Sequence, residues 1–256
     1  GVRHAWAIRA ARMVVVDDGY VAERLRDEFP DARIRATCAG AARADMPDGP
    51  APTGGQLRVG VLGRAQVDIV ERAAARARAA GTAVALVASD DVRAVAAEAD
   101  MIVALDRPGR DVPRIPAIAA LPLARPLIVP EMETTAGWPA LDPQCWQPRD
   151  PLSSEAPIAI SIDPRDEEHS LMLALRRLAG DVVLRERLAS AAVQWWQCHA
   201  TVAHAAAAWR RIIAEALATP VPPRPADWPG ELTPDGTELT QQILAEFGVT
   251  VDLLEQ

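Results

Sequence analysis

Two short stretches carry the side chains best suited to gripping an anion. Gly63-Arg64 follows the apolar run Leu57–Leu62 and precedes a helical pattern that starts at Val67. Backbone N–H groups at a glycine turn leading into a helix, with a guanidinium beside them, suit a phosphate. The second stretch follows the apolar run Met101–Leu105 and holds Arg107, Arg110, Asp111 and Arg114. Guanidinium groups bind phosphate bidentately. Each residue also has a plainer reading: Gly63 makes a tight turn, the arginines are solvated, and Asp111 pairs with Arg110 or Arg114.

The rest of the composition removes other chemistries. All 27 basic residues are arginine, so there is no lysine for a Schiff base or a Walker-type phosphate loop. Cys38, Cys145 and Cys198 are far apart and form no CxxC pair, which disfavours a disulfide framework or zinc site and favours a reducing, cytoplasmic compartment. His199 and His204 are five apart, not at the i, i+4 spacing of a helical zinc pair, so no metal is expected. A net charge of −8 argues against a nucleic-acid groove. No apolar run reaches the roughly 20 residues of a membrane helix. Trp138 and Trp146 lie between strand patterns, where they either stack on a ring or pack under a loop; Trp195, Trp196 and Trp209 fall on helical patterns and read as core or lobe-contact residues.

These residues must be positioned by the elements around them. Met13–Val16 and Arg33–Thr37 read as strands flanking a helix over Gly19–Phe29, with Asp17 and Asp18 placed to cap it. Gly, Pro, Ala and Asp without periodicity over 39–56 mark a linker. A regular alternation follows: strands at Leu57–Leu62, Ala83–Ala88, Met101–Leu105, Pro126–Val129 and Pro157–Ile162, with helices at Val67–Ala80 and Asp91–Ala99 and a helix-like stretch at Ile115–Leu123. Residues 130–156 read as a long loop. Leu171, Ala174, Leu175 and Leu178 recur at helical spacing, as do Leu184, Leu188, Ala191 and Trp195, and Thr201–Leu217 makes a third helix. Residues 219–229 are proline-rich and extended, and a short helix is expected near Thr237–Phe247. Almost wholly apolar strands alternating with helices indicate an α/β fold, a Rossmann-like parallel sheet with helices on both faces. Ligands of such sheets bind at the carboxyl ends of the strands.

The stretch Ile158-Ala-Ile-Ser-Ile-Asp163-Pro164-Arg-Asp166, with Leu171, Leu175-Arg176-Arg177-Leu178, Asp181, Leu184-Arg185, Leu188 and Ala191, resembles the closing strand and helices of retaining glycosyltransferases of family four, which have the two-lobed GT-B fold. Leu57-Arg-Val-Gly-Val-Leu-Gly63-Arg64 is similar to the first strand and glycine turn of their nucleotide-sugar lobe. Ala99–Leu105 and Arg125–Val129 are similar to the strands before and after their donor loop. The resemblance implies an end of the N-terminal acceptor lobe at 1–40, a linker at 41–56, the donor lobe at 57–217 and a proline-rich linker and tail at 218–256. It also implies a chain that begins inside a longer protein and is inactive by itself, since the cleft needs both lobes.

By resemblance the function is transfer of a hexose from a nucleoside diphosphate sugar to an acceptor hydroxyl with retention. The nucleotide sugar is a co-substrate, and no metal or other cofactor is needed. Donor contacts fall on Gly63, Arg64, Arg107, Arg110 and Asp111, with Asp111 accepting from a sugar hydroxyl; the catalytic residues are not assigned. The partners are the nucleotide sugar and an acceptor of unknown identity, without nucleic acid, and any peripheral membrane contact falls to the rest of the first lobe. The family's donor loop carries two glutamates, and these fall here on Asp111 and Ala119, so the second carboxylate is lost. The glycine before the Arg125-Pro126 strand is Ala124. These departures give the rival reading, a non-catalytic binding or scaffold module.

Overall fold

Runs of valine, isoleucine and leucine favour strands. When each run is followed by a stretch with one apolar face, the helices that cross back cover both sides of the sheet. The computed structural model describes residues 2–16, 19–37, 40–42, 55–62, 67–89, 91–105, 117–132, 135, 137–223, 225, 228 and 243–246. The first part comprises α1 (Val2–Ala10), β1 (Val14–Val16), α2 (Gly19–Glu28) and β2 (Ile34–Ala36). The second comprises β3 (Leu57–Leu62), α3 (Val67–Ala79), β4 (Val84–Ser89), α4 (Val92–Glu98), β5 (Met101–Val103), a 3-10 helix (Ala117–Leu123), β6 (Leu127–Pro130), β7 (Ala140–Leu141) and β8 (Ala159–Ile162). Three helices follow: α5 (Glu167–Gly180), α6 (Val182–His199) and α7 (Val202–Ala218).

β1 and β2 pair in parallel, Val14 opposite Ile34. The other six strands form one parallel sheet in the order β4-β3-β5-β6-β8-β7. Side chains of alternate residues go to opposite layers, as strand geometry requires. Val59, Val61, Met101, Val103, Ile128 and Ile160 meet α3 and α5, while Ile102, Leu127, Val129 and Ala159 meet α4, the 3-10 helix and the second half of α6. α6 serves both layers, with Leu184 and Leu188 in the first and Ala191, Ala192 and Trp196 in the second. Leu171, Leu175 and Leu178 of α5 are wholly buried, and each contributes about 2 kcal/mol. The Rossmann-like architecture with helices on both faces is therefore as the sequence indicates.

Three close fits hold the layers. Gly60 lies in the middle of β3 facing α4; a Cβ there would fall 2.3 Å from Val95 Cγ1 and 2.8 Å from Ala99 Cβ. Arg58 grips Asp100 across the β3–β5 boundary, with Nη2 2.9 Å from Oδ1 and the Arg58 backbone N–H 2.8 Å from Oδ2. Burial alone raises the Asp100 pKa, but the bonds from Arg58 outweigh it and hold the carboxyl below the ordinary range. Arg125 is buried, and among the described residues its hydrogen-bond partners are carbonyls: Nε donates to Ala99 O at 2.9 Å and Nη2 to Ala96 O at 3.2 Å. It thereby satisfies the last carbonyls of α4, and burial lowers its pKa.

The first part is tied to the last helices. Ala41 N donates to Ala200 O at 2.8 Å, and Trp196 Nε1 donates to Ala41 O at 3.0 Å. At the other end of α7, Arg35 of β2 pairs with Glu215 and Arg33 donates to Thr219.

Two elements differ from expectation. The helix expected at Ile115–Leu123 is a 3-10 helix over Ala117–Leu123, with residues 115–116 outside the described residues. Pro122 within it has no N–H to donate, and its ring opposes a continued α-helix. The expected loop at 130–156 contains β7, which adds to the edge of the sheet beside β8; two residues are too few to show a period. Of the helix expected near Thr237–Phe247, only 243–246 is described, and it is helical. Asp17 and Asp18 lie outside the described residues. Among the described residues no helix is long and apolar enough to cross a membrane.

Gly60→Ala should lower stability by about 1–3 kcal/mol, because the added methyl must displace α4 from β3; urea unfolding followed by circular dichroism measures it, and an unchanged midpoint would refute the close packing.

Candidate functional site

In an all-parallel sheet every strand delivers its following loop to the same edge. The strand order then decides which loops are neighbours. β4 lies on one side of β3, and β5, which comes next in sequence, lies on the other. In sheets of this topology the crossovers on the two sides of such a point diverge, and ligands bind outside the carboxyl ends of the two strands. Val61 is opposite Val103, so the two chains leave the sheet about 4.8 Å apart. Leu62, Ala104 and Leu105, the last residues described at the ends of these two strands, are all buried.

All five predicted donor contacts follow these two strand ends. Gly63 and Arg64 come directly after β3; Arg107, Arg110 and Asp111 come after β5 and Leu105. All five lie outside the described residues, as does Arg114. What the structure does place is their roots, which are adjacent.

Ala119 lies on the 3-10 helix and is half-buried. The helix has the sequence AIAALPL and offers no carboxylate. Ala124, directly after it, has φ 53°. This is the left-handed region, which costs an L-residue about 1 kcal/mol and explains why a glycine suits the position.

The same edge contains a device that sequence reading missed. Arg149 reaches out of the irregular segment after β7. It pairs with Glu131, the residue after β6, and its Nη2 donates to Ser161 O of β8 at 3.0 Å. Glu131 N in turn donates to Ile162 O at 2.8 Å. Thr135 is buried and donates to Pro130 O at 2.6 Å while accepting from Met132 N at 3.1 Å. Together these bonds fix the turn that leaves β6. After β8, the exposed Arg165 donates to Asp163, and this bond, chiefly, holds the Asp163 carboxyl below its ordinary range.

Trp138, Trp146, Trp195 and Trp196 pack against the two layers. Trp146 is half-buried against the layer of α3 and α5, with Arg177 5.7 Å over its ring. Trp138 packs with Trp195, ring centres 5.8 Å apart, against the other layer. Trp196 is buried, whereas Trp209 is 44% exposed. His204 bonds Thr201, the N-cap of α7, and His199 lies 3.6 Å from Glu155. Among the described residues no three His, Cys, Asp or Glu side chains are grouped to hold a metal.

No protein-family model and no curated protein matches the chain. Solved structures do. The pneumococcal O-GlcNAc transferase GtfA, solved with UDP and GlcNAc, superposes with a TM-score of 0.55 over 80% of this chain and 45% of its own, at 12% identity. A mutant of S. aureus TarM, solved with fondaparinux, alpha-GlcNAc-glycerol and UDP, gives 0.58 over 84% of this chain and 46% of its own, at 10% identity. The fold is that of a GT-B glycosyltransferase lobe. Anabaena HepE, solved with UDP and glucose, shares this lobe with a TM-score of 0.55 at 14% identity, over 85% of this chain and 66% of its own. The chain spans about half the length of GtfA and TarM.

Arg149→Ala should lower the stability of the GT-B lobe by about 1 kcal/mol, by leaving Glu131 and the Ser161 carbonyl without their donor. Thermal unfolding at low ionic strength reads this loss, and an unchanged Tm would show that the pair does not hold the β6 turn.

Proposed function

We propose that this chain supplies the donor-binding lobe of a glycosyltransferase and that a nucleoside diphosphate sugar binds outside the carboxyl ends of β3 and β5. The observation that carries this reading is the reversal of strand order at β3, which brings the roots of both arginine-bearing loops side by side at the edge where α/β sheets bind ligands. The likeness of the fold to proteins solved with UDP supports it.

The chemistry asks little of this lobe beyond charge. The bond between the anomeric carbon and the diphosphate breaks, a bond to the acceptor oxygen forms, and the acceptor's proton passes to an oxygen of the leaving diphosphate. Negative charge grows on the leaving diphosphate, so N–H groups and cations fixed at that point stabilise the transition state. Gly63 and Arg64 serve the diphosphate from one loop, Arg107 and Arg110 from the other, and Asp111 accepts from a sugar hydroxyl. No metal or further cofactor enters this scheme. Retention of configuration and membership of family four follow the resemblance of the closing strand and helices. The acceptor hydroxyl is presented by the other lobe, and the scattered cysteines suit a cytoplasmic setting.

Ala119 favours a second reading. A donor lobe whose second glutamate position holds a methyl group, on a 3-10 helix free of acids, binds nucleotide weakly or not at all and acts as a scaffold. Calorimetric titration with UDP, GDP and their sugars separates the two. The donor reading predicts saturable binding to one nucleotide, weakened at least tenfold in Arg64→Ala, equivalent to about 1.4 kcal/mol. Absence of saturable binding to every nucleotide would refute it and leave the scaffold.

A further inference from the structure

The opposite edge of the sheet carries a second polar cleft. A cavity of about 560 Å³ opens at the amino ends of β3, β4 and β5, where the α3–β4, α4–β5 and α5–α6 turns meet. Its lining includes Arg176 and Arg185 from the α5–α6 corner, Thr82, Gln56, Asp100 and Val182.

Charge in this cleft is unbalanced. Asp100 is the acid of its lining, and Arg58 already neutralises it through three bonds. Asp181, beside the cleft, is occupied by Arg177 and by the Leu184 N–H. Arg185 uses Nη1 on the Leu178 and Ala179 carbonyls, which anchors the guanidinium at the end of α5 without cancelling its charge. Arg176 has no hydrogen-bond or ion-pair partner among the described residues. Arg176, together with Arg185, which shares Asp100 with Arg58, leaves the cleft net positive among the described residues, in a protein of net charge −8.

The neutral groups point the same way. The Thr82 hydroxyl and the Gln56 amide have no side-chain partner among the described residues, and the N–H groups of Val182 and Val183 open the 18-residue helix α6 without an acceptor. Helix-opening amides favour anions, and guanidinium groups favour the tetrahedral oxygens of a phosphate. A volume of 560 Å³ is that of a small-metabolite site.

We infer that this amino-edge cleft is a second ligand site, distinct from the proposed donor site, and that it takes the phosphate group of a phosphorylated small metabolite between Arg176, Arg185 and the first turn of α6. Backbone amide NMR on the 256-residue chain tests it, with inorganic phosphate, a hexose monophosphate and citrate as probes at matched ionic strength. Phosphate and the hexose phosphate should shift the amides of Val182, Val183 and Thr82 saturably, citrate less, and Leu62 and Ala104 not at all. Arg176→Ala, whose exposed side chain holds nothing in place, should weaken binding at least tenfold, and Arg176→Lys should restore part of it. Equal shifts with chloride, or phosphate affinity unchanged in Arg176→Ala, would overturn the site. Because the readout is local to the amino edge, a failure of the proposed donor site to bind nucleotide leaves this result standing.

Discussion

The arrangement depends on the pairing of β3 with both β4 and β5. One strand must accept a parallel neighbour on each side while helices cover both of its faces, and a helix can approach the α4 face only where β3 has no side chain. Gly60 meets that requirement, with Val95 and Ala99 filling the space a Cβ would take. Arg58 and Asp100 then fix the start of β5 against β3. With these contacts made, the carboxyl ends of the two strands are adjacent and the loops that follow begin at neighbouring points.

The same economy explains how the first part is held. Among the described residues Ala41 is bonded through its N–H to Ala200 and through its carbonyl to Trp196, and β2 reaches α7 through Arg33 and Arg35. Hydrogen bonds of this kind each contribute only about 1 kcal/mol. The interior of each layer is instead sealed by fully buried aliphatic side chains such as Ile102, Ile128 and Leu175, so packing and not polar pairing keeps the sheet intact.

Much of this was legible in the residues. Leu57–Leu62 is a strand over the residues its apolar run marks, and α5 follows the spacing of Leu171, Leu175 and Leu178. Patterns of this sort record local burial, and burial is what period two and period 3.6 report. The adjacency of β3 and β5 was not legible, because strand order is a property of pairing and leaves no mark on either strand. Nor was the contact of Arg149 with Glu131, which joins an irregular segment to a strand end. The helix-like stretch at Ile115–Leu123 takes the 3-10 form over Ala117–Leu123, where Pro122 lacks an N–H and its ring opposes an α-helix. At the candidate site, residue types and their place after strands were readable; the left-handed backbone at Ala124 became visible only as an angle.

The proposed nucleotide site is the carboxyl edge between β3 and β5. Backbone amide NMR during titrations with UDP and with GDP reads it directly. The nucleotide that binds should give saturable shifts at Leu62, Ala104 and Leu105 and at the β6 turn around Glu131, whether or not the amino edge also responds. Shifts confined to the amino edge, or none at saturating concentrations of either UDP or GDP, would contradict it.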